Sequence, residues 1–282
     1  MNEIIVRVIG RIEMTVYTQS IDSETGLRVE DLASEEGMSR FQLQRLFKRE
    51  TGVNLSDFIQ QAKLSVASNF VTLTHAPLLE VAFNTGYNGQ QSFTRAFSKE
   101  KGISPLRMRK DAHKRHASLA QPAPAHTIPV RTGRSLEPRR LWMRRYIGAY
   151  TQVLDHWADF SERLNVLDVK TDGPFYGVIF DDPDNTPADQ IRYGCGIEAP
   201  LPSDAMPEGW VEFVSLPSRF AIFSLRCTYM EGHARLRPRV LSWFQHSRET
   251  FGTAGAFEIY ATPPNGGEDQ ARDMELHVSL AN

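Results

Sequence analysis

Three groups of side chains in this 282-residue chain have types and spacings suited to chemistry on another molecule. In Phe257-Glu258-Ile259-Tyr260, the period of a strand puts Glu258 and Tyr260 on one face and Phe257 and Ile259 on the other. An acid flanked by aromatics in an apolar cleft favours a cationic or hydrogen-bond-donating molecule, by charge pairing and ring-face attraction. The same pair could instead move protons, one group activating water and the other donating. On the pattern alone, a solvated sheet face fits as well. The other two groups are Arg40, Phe41, Gln44, Arg45 and Lys48, and Gln90, Gln91, Thr94, Arg95 and Lys99. Arginine can donate two bonds to guanine and glutamine can pair with adenine, both in the major groove. No Ser-His-Asp order, phosphate loop or metal-ligand cluster is recognisable. Cys195 and Cys227 lie 32 positions apart with no Cys-x-x-Cys, as buried structural thiols would. No catalytic residue, metal or cofactor is therefore expected.

The second and third groups sit at equivalent places in a repeat. GMSRFQLQRLFKRETG, residues 37 to 52, is echoed by GYNGQQSFTRAFSKEKG, residues 86 to 102. Arg45 to Arg95, Phe47 to Phe97 and Gly52 to Gly102 are each offset by 50, while Gly37 to Gly86 is offset by 49, so the slip falls in a turn. Ser39 followed by Gln42 predicts a capped helix that buries Leu43, Leu46 and Phe47. The second copy buries Phe93, Ala96 and Phe97. Each is preceded by a shorter helix, and a longer one near Leu55 to Thr72 joins them. Two short helices linked by a tight turn, the second with a polar and basic outer face, form a helix-turn-helix, here present twice. A solvated bundle surface would explain either copy alone; it does not explain the same residue types outward in both.

The overall charge of −2 conceals an asymmetry. Residues 38 to 115 carry 13 Lys and Arg against 5 Asp and Glu, which calls for an anionic partner. Residues 4 to 16 make an amphipathic helix that needs a cover. The charges at Glu3, Arg7, Arg11 and Glu13 exclude a signal-peptide core there, and no run approaches the roughly 20 apolar residues of a membrane span, so a cytoplasmic protein without a membrane partner is expected. HKRHASLAQPAPAHTIP, residues 113 to 129, lacks periodicity and reads as a linker. Beyond it, RRLWMRRYIGAY and RFAIFSLRCTY each predict a strand leading into a helix, and each is followed by two more strand candidates. Two domains follow: an all-α double helix-turn-helix unit over 1 to 112, and over 130 to 282 an α+β unit of two strand-helix-strand-strand repeats.

Residues 27 to 110 resemble the DNA-binding domain of the AraC/XylS regulators, on the strength of Met38 to Gly52 and GYNGQQSFTRAFSKEKGISPLRMRK. The resemblance implies that Phe41, Gln44 and Arg45, with Gln90, Gln91, Thr94 and Arg95, read bases in double-stranded DNA, and that RNA polymerase is a further partner. Residues 130 to 282 resemble the GyrI-like domain, a small-molecule-binding module, through Gly148-Ala149-Tyr150, Asp181-Asp182-Pro183, Thr186-Pro187, Ile191-Arg192-Tyr193 and Phe257 to Tyr260. That resemblance implies a pocket for a small amphipathic, cationic ligand using Glu258 and Tyr260, with Trp142, Tyr146 and Tyr193 as its aromatic company. Where the second repeat would usually have a glycine, this chain has Cys227-Thr228-Tyr229. The expected function is a ligand-responsive transcriptional regulator that reads an asymmetric site. The alternatives are a GyrI-like hydrolase and a drug-sequestering protein with an accessory DNA-binding domain.

Overall fold

A computed structural model describes residues 2–18, 27–119, 128–135, 137–183, 185–200, 206–265 and 270–281. The helices α1 (Glu3–Thr18), α2 (Val29–Glu35), α3 (Arg40–Thr51), α4 (Leu55–Leu73), α5 (Leu78–Asn84), α6 (Gln90–Lys101) and α7 (Pro105–Leu119) come first. They are followed by β1 (Val130–Arg134), β2 (Arg139–Ile147), α8 (Val153–Val166), β3 (Phe175–Ile179), β4 (Arg192–Glu198), β5 (Val211–Ser215), β6 (Arg219–Cys227), α9 (Tyr229–His246), β7 (Phe251–Tyr260) and β8 (Arg272–Leu280). A helical unit thus precedes an α+β unit, as the pattern predicts.

Local sequence accounts for the echo. Ser39 caps α3 by the expected capping box: its hydroxyl accepts from the Gln42 N–H, and the Gln42 side chain accepts from the Ser39 N–H. Both α3 and α6 stop at a glycine in the left-handed region, Gly52 at φ 78° and Gly102 at φ 72°, where a side chain would be strained. Their buried stripes are Leu43 with Phe47 and Phe93 with Phe97. The helix α7 runs to Leu119, past the point at which the linker was expected to begin. Its polar stretch stays helical because Ala112 and His116, one turn apart, are buried on one face and α7 packs on α9. Residues 120–127 of the expected linker and the polar connection 19–26 lie outside the described residues.

The strands form one antiparallel sheet in the order β1-β6-β8-β7-β3-β4-β2-β5. Outward from the β3–β7 junction, the two repeats β2-α8-β3-β4 and β6-α9-β7-β8 place their strands in the same sequence, a pseudo-twofold arrangement. The five-residue strands β5 and β1, which alternation in the sequence does not reveal, extend the edges by pairing with β2 and β6. At the corner where glycine would be usual, Thr228 caps α9 through a second box with Glu231, so capping rather than backbone freedom makes the turn.

One face of the sheet carries α8 and α9, around Trp157, Phe160, Tyr193, Phe223 and Leu236. The other curls inward: Phe213 on β5 meets Phe257 on β7, four places along the sheet, with ring centroids 6.0 Å apart. Onto this concave face packs α1. Its stripe Ile5, Val8, Ile9, Ile12 and Val16 is buried in one continuous core that includes Phe47 and Phe97 of the helical unit and Met143, Val211 and Phe213 of the sheet. At roughly 1.5–3 kcal/mol per buried aliphatic side chain, α1 is a substantial joint between the two units.

Candidate functional site

The outward residues of the repeat lie on α3 and α6 as the periodicity requires. Phe41 is 75% exposed, and Arg45, Lys48, Gln90, Gln91, Arg95 and Lys99 are exposed, while Gln44 and Thr94 are half-buried beside the packed stripe. The Arg40 guanidinium lies 5.6 Å from the centre of the Phe41 ring and pairs with Glu30 of α2 at 2.8 Å, so part of its charge is met within the fold. Among the described residues, no ion pair engages Arg45, Lys48, Arg95 or Lys99. The α4 helix packs against α1, α3, α5, α6 and α7, and so sets the spacing of the two exposed faces.

A second locus forms at the centre of the sheet, where Gly177 of β3 directly opposes Glu258 of β7. Glu258 is 5% exposed. Its Oε2 accepts from the Tyr193 hydroxyl at 2.5 Å and from the Tyr260 hydroxyl at 3.0 Å, and Trp157 Nε1 donates to the Tyr193 oxygen at 3.3 Å. Oε1 accepts from no described residue. A Cβ on residue 177 would collide with the Tyr193 hydroxyl and come within 2.9 Å of Glu258 Oε2, so this cluster requires glycine there. Burial pushes the Glu258 carboxyl up to about 7, although both tyrosines pull it down. The hydroxyls of Tyr150, Tyr193, Tyr229 and Tyr260 are raised well above their ordinary value by burial and by the Glu258 charge, and stay protonated.

Glu258 lines a cavity of about 160 Å³ that both units enclose. The sheet side contributes Ile179, Leu276 and Val278, α9 contributes His233, Leu236 and Val240, and the loop after β2 contributes Tyr150. Closing it are Val66, Asn69, Phe70 and Leu73 of α4 and Tyr17 of α1. Asp181 and Asp182 also line it, but Arg192 holds the first and Arg237 the second, so among the described residues Glu258 is the lining carboxylate without a cationic partner. An apolar chamber of this kind, with that acid and several ring faces, is chemically suited to an organic cation.

Beside the cavity runs a buried charge network that joins the units. Arg192 donates from Nε to Asp181 Oδ2 at 2.8 Å, from Nη2 to Asp181 Oδ1 at 2.6 Å and to the Tyr17 hydroxyl at 2.7 Å, and from Nη1 to Glu13 Oε1 at 3.3 Å. Arg145 Nε donates to Glu13 at 2.7 Å, and the Ser65 hydroxyl of α4 donates to Asp181. Burial by itself would raise Asp181, but the Arg192 guanidinium outweighs it and holds the carboxyl below its ordinary value.

Of the five residues expected at the pocket, Glu258 lines the cavity, while Tyr193 and Tyr260 hydrogen-bond to it from behind without lining the cavity themselves. Trp142 is buried in the core under α8 and α9, with its Nε1 unpartnered, and does not line the cavity. Tyr146 stacks on His156 at 4.7 Å and donates to Asp159 at 2.7 Å, also outside it. Both share the Tyr193 face of the sheet, but β2 lies beyond β4 from the Glu258 strand, too far to reach. Tyr150, which lines the cavity, is marked in the sequence by Gly148-Ala149-Tyr150. The contribution of α4 had no signal, because it arises from packing between the units.

Two family matches coincide with these units: residues 32–111 match a helix-turn-helix domain, and residues 134–278, just over half of the chain, match the GyrI-like small molecule binding domain. The chain belongs to the AraC/XylS family and carries a GyrI-like domain. It is 34% identical over 88 residues to the Transposon Tn10 TetD protein of Escherichia coli, covering 31% of this chain and 64% of that protein. With transcriptional regulator Rob of Salmonella typhimurium it shares 28% identity over 142 residues, 50% of this chain and 48% of Rob. With regulatory protein SoxS of Escherichia coli K12 it shares 33% identity over 79 residues, 28% of this chain and 74% of SoxS. The chain thus spans about half to two thirds of the length of TetD and Rob.

Proposed function

We propose that the protein is a ligand-responsive, sequence-specific DNA-binding transcriptional regulator. In this reading α3 and α6 enter successive major-groove faces roughly 34 Å apart. Because the two outward faces differ in sequence, the DNA site is asymmetric. The small molecule is an amphipathic cation that pairs with Glu258 among the tyrosines. The observation that carries the reading is the shared cavity: α4, which spaces α3 and α6, is also one of its walls. A ligand that presses on Phe70 or Leu73 therefore has differential contacts with any two arrangements of α4, which is what a coupling between sites requires. The natural setting for such a protein is the cytoplasm, where the DNA is.

Selecting the full chain against random duplexes and measuring affinity at rising salt tests this. Binding is expected to fall with a log-log slope of roughly −0.9 per phosphate neutralised, and the dissociation constant for the selected duplex is expected to change when an aromatic cation is added. Folded protein without salt-sensitive duplex binding would sink the reading. A DNA affinity that stays indifferent to every bound cation would remove the coupling alone.

A second reading, hydrolysis, draws on the Glu258 carboxyl raised to about 7 beside two hydroxyl donors, an arrangement suited to general acid–base chemistry. Glu258→Gln separates the two. Loss of binding with no turnover in either protein fits recognition, whereas retained binding with abolished turnover fits catalysis.

A further inference from the structure

The concave face of the sheet has an opening of its own, on the side away from the Glu258 cavity. Alternation along β7 puts Glu258 on the helix side and its neighbour Phe257 on the concave side, so the two openings are separated by the thickness of one strand. This second cavity measures about 360 Å³. Its floor is apolar: Leu141, Phe220, Ile222 and Phe257 are all buried side chains that line it. Its rim is cationic, with Arg131 and Arg134 from β1 and Arg139 from β2.

The three guanidinium groups are placed differently. Arg139 Nη1 donates to the Tyr176 hydroxyl at 3.0 Å, and its Cζ lies 5.6 Å from the Tyr176 ring centre, so it is held against a ring that itself lines the opening. Arg131 Nη2 pairs with Glu275 Oε1 at 2.8 Å, and Glu275 is also held by Ser224 and His277. Arg134 has no hydrogen bond or ion pair with any described residue and is exposed at the end of its strand. Glu275 is the lone acid lining the opening among the described residues, so the lining carries three arginines against one carboxylate. The Tyr176 hydroxyl donates its hydrogen bond to Glu198 at 2.7 Å, which leaves its oxygen free to accept from Arg139.

We propose that this opening is a second small-molecule site, of opposite charge preference to the first, which takes an amphipathic anion such as an aromatic carboxylate or sulfonate. The apolar body rests on Phe220 and Phe257, and the anionic head is received at the rim by Arg134 and Arg139. Guanidinium suits this because it is planar, permanently charged and weakly hydrated, and can give two parallel bonds to one carboxylate or sulfonate. The floor sets the ligand class: a bare inorganic anion gains nothing from buried rings, and an uncharged arene gains nothing from the rim.

Isothermal titration of the full chain with naphthalene-2-sulfonate tests the site. Saturable binding is expected, weakened at least about tenfold by Arg134→Glu and by Arg139→Gln, since each removes a charge-assisted contact. Arg134→Glu alters an exposed side chain without partners, so that arm does not depend on tolerance in the core. Glu258→Gln is expected to leave the sulfonate constant within about twofold, and millimolar inorganic phosphate to leave it unchanged. Absence of saturable binding, indifference to both arginine variants, or loss of binding in Glu258→Gln would each overturn the proposal. Displacement by phosphate would show a simple anion site and overturn the amphipathic assignment. Apart from the Glu258→Gln arm, these results do not bear on whether the Glu258 cavity takes a cation.

Discussion

Arg192, on β4, donates a 2.7 Å hydrogen bond to the hydroxyl of Tyr17 on α1, 175 positions earlier in the chain. The same guanidinium holds Asp181 and reaches Glu13, both 2% exposed or less. Replacing Arg192 by leucine leaves two buried carboxylates short of their partner. The expected cost is about 3–5 kcal/mol, since an orphaned buried charge is far worse than an absent pair. Urea unfolding measures it. A loss under about 1 kcal/mol would mean that the apolar face of α1, not this network, joins the units.

Two pH dependences of opposite sign follow from the buried acids. Asp181 has a folded pKa below its unfolded value, so its stabilisation is present above the unfolded pKa of about 3.9 and is lost as pH falls through the lower folded value. Glu258 has a folded pKa raised to about 7, so the folded state is favoured below its unfolded value of about 4.3 and loses that advantage as pH rises through 7. Glu258→Gln should therefore stabilise the free protein at pH 8, by on the order of 2–3 kcal/mol, and do little at pH 4. Thermal melts of both proteins across this range decide it; a variant less stable at pH 8 contradicts the assignment of a strained, charged acid.

Affinity for an organic cation should rise between pH 6 and 8, because the cation favours the ionised carboxylate and its binding releases a proton. A naphthyl trimethylammonium titrated at several pH values would show this, together with a proton release that depends on buffer. A flat profile would place the cation away from Glu258.

Gly177→Ala introduces a methyl where the Tyr193 hydroxyl and Glu258 Oε2 already stand. Overpacking of this kind costs roughly 1–3 kcal/mol, and the displaced hydroxyl should weaken cation binding more than a distant core change of equal stability cost. Comparing it with a matched core variant such as Ile12→Val separates the two effects.

Arg45→Ala and Arg95→Ala should each cost about 1–3 kcal/mol at a selected duplex and relax base preference in different halves of the site. Lys48→Ala should weaken all sequences alike. Uniform losses from both arginine variants, with preference intact, would make them phosphate contacts instead of readers.

How much could be read beforehand divides along the range of the interactions. The capping box at Ser39 and the burial of Leu43 and Phe47 are decided within a few residues, and they emerge as expected; the left-handed stops at Gly52 and Gly102 are equally local, although in the sequence these glycines mark only the repeat. The strands β1 and β5 are short and earn their place by pairing with β6 and β2, far along the chain, so no local alternation marks them. Glu258 and Tyr260 share a face by strand period alone, but Trp142 and Tyr146 share it too and stand out of reach, because strand order decides distance and cannot be read from periodicity. Tyr17, Phe70 and Asp181 meet at the cavity only once two units are docked.

The sheet is doubled, yet its central acid is not. At the junction of the repeats one strand presents Glu258 and its partner presents Gly177, whose missing side chain makes the room. A near-symmetric scaffold with its carboxylate beside the pseudo-axis can accommodate a single cation there, whatever the number of repeats. Saturation of that cavity at one equivalent per chain, with no cooperativity within the chain, is the stoichiometric signature of such an arrangement.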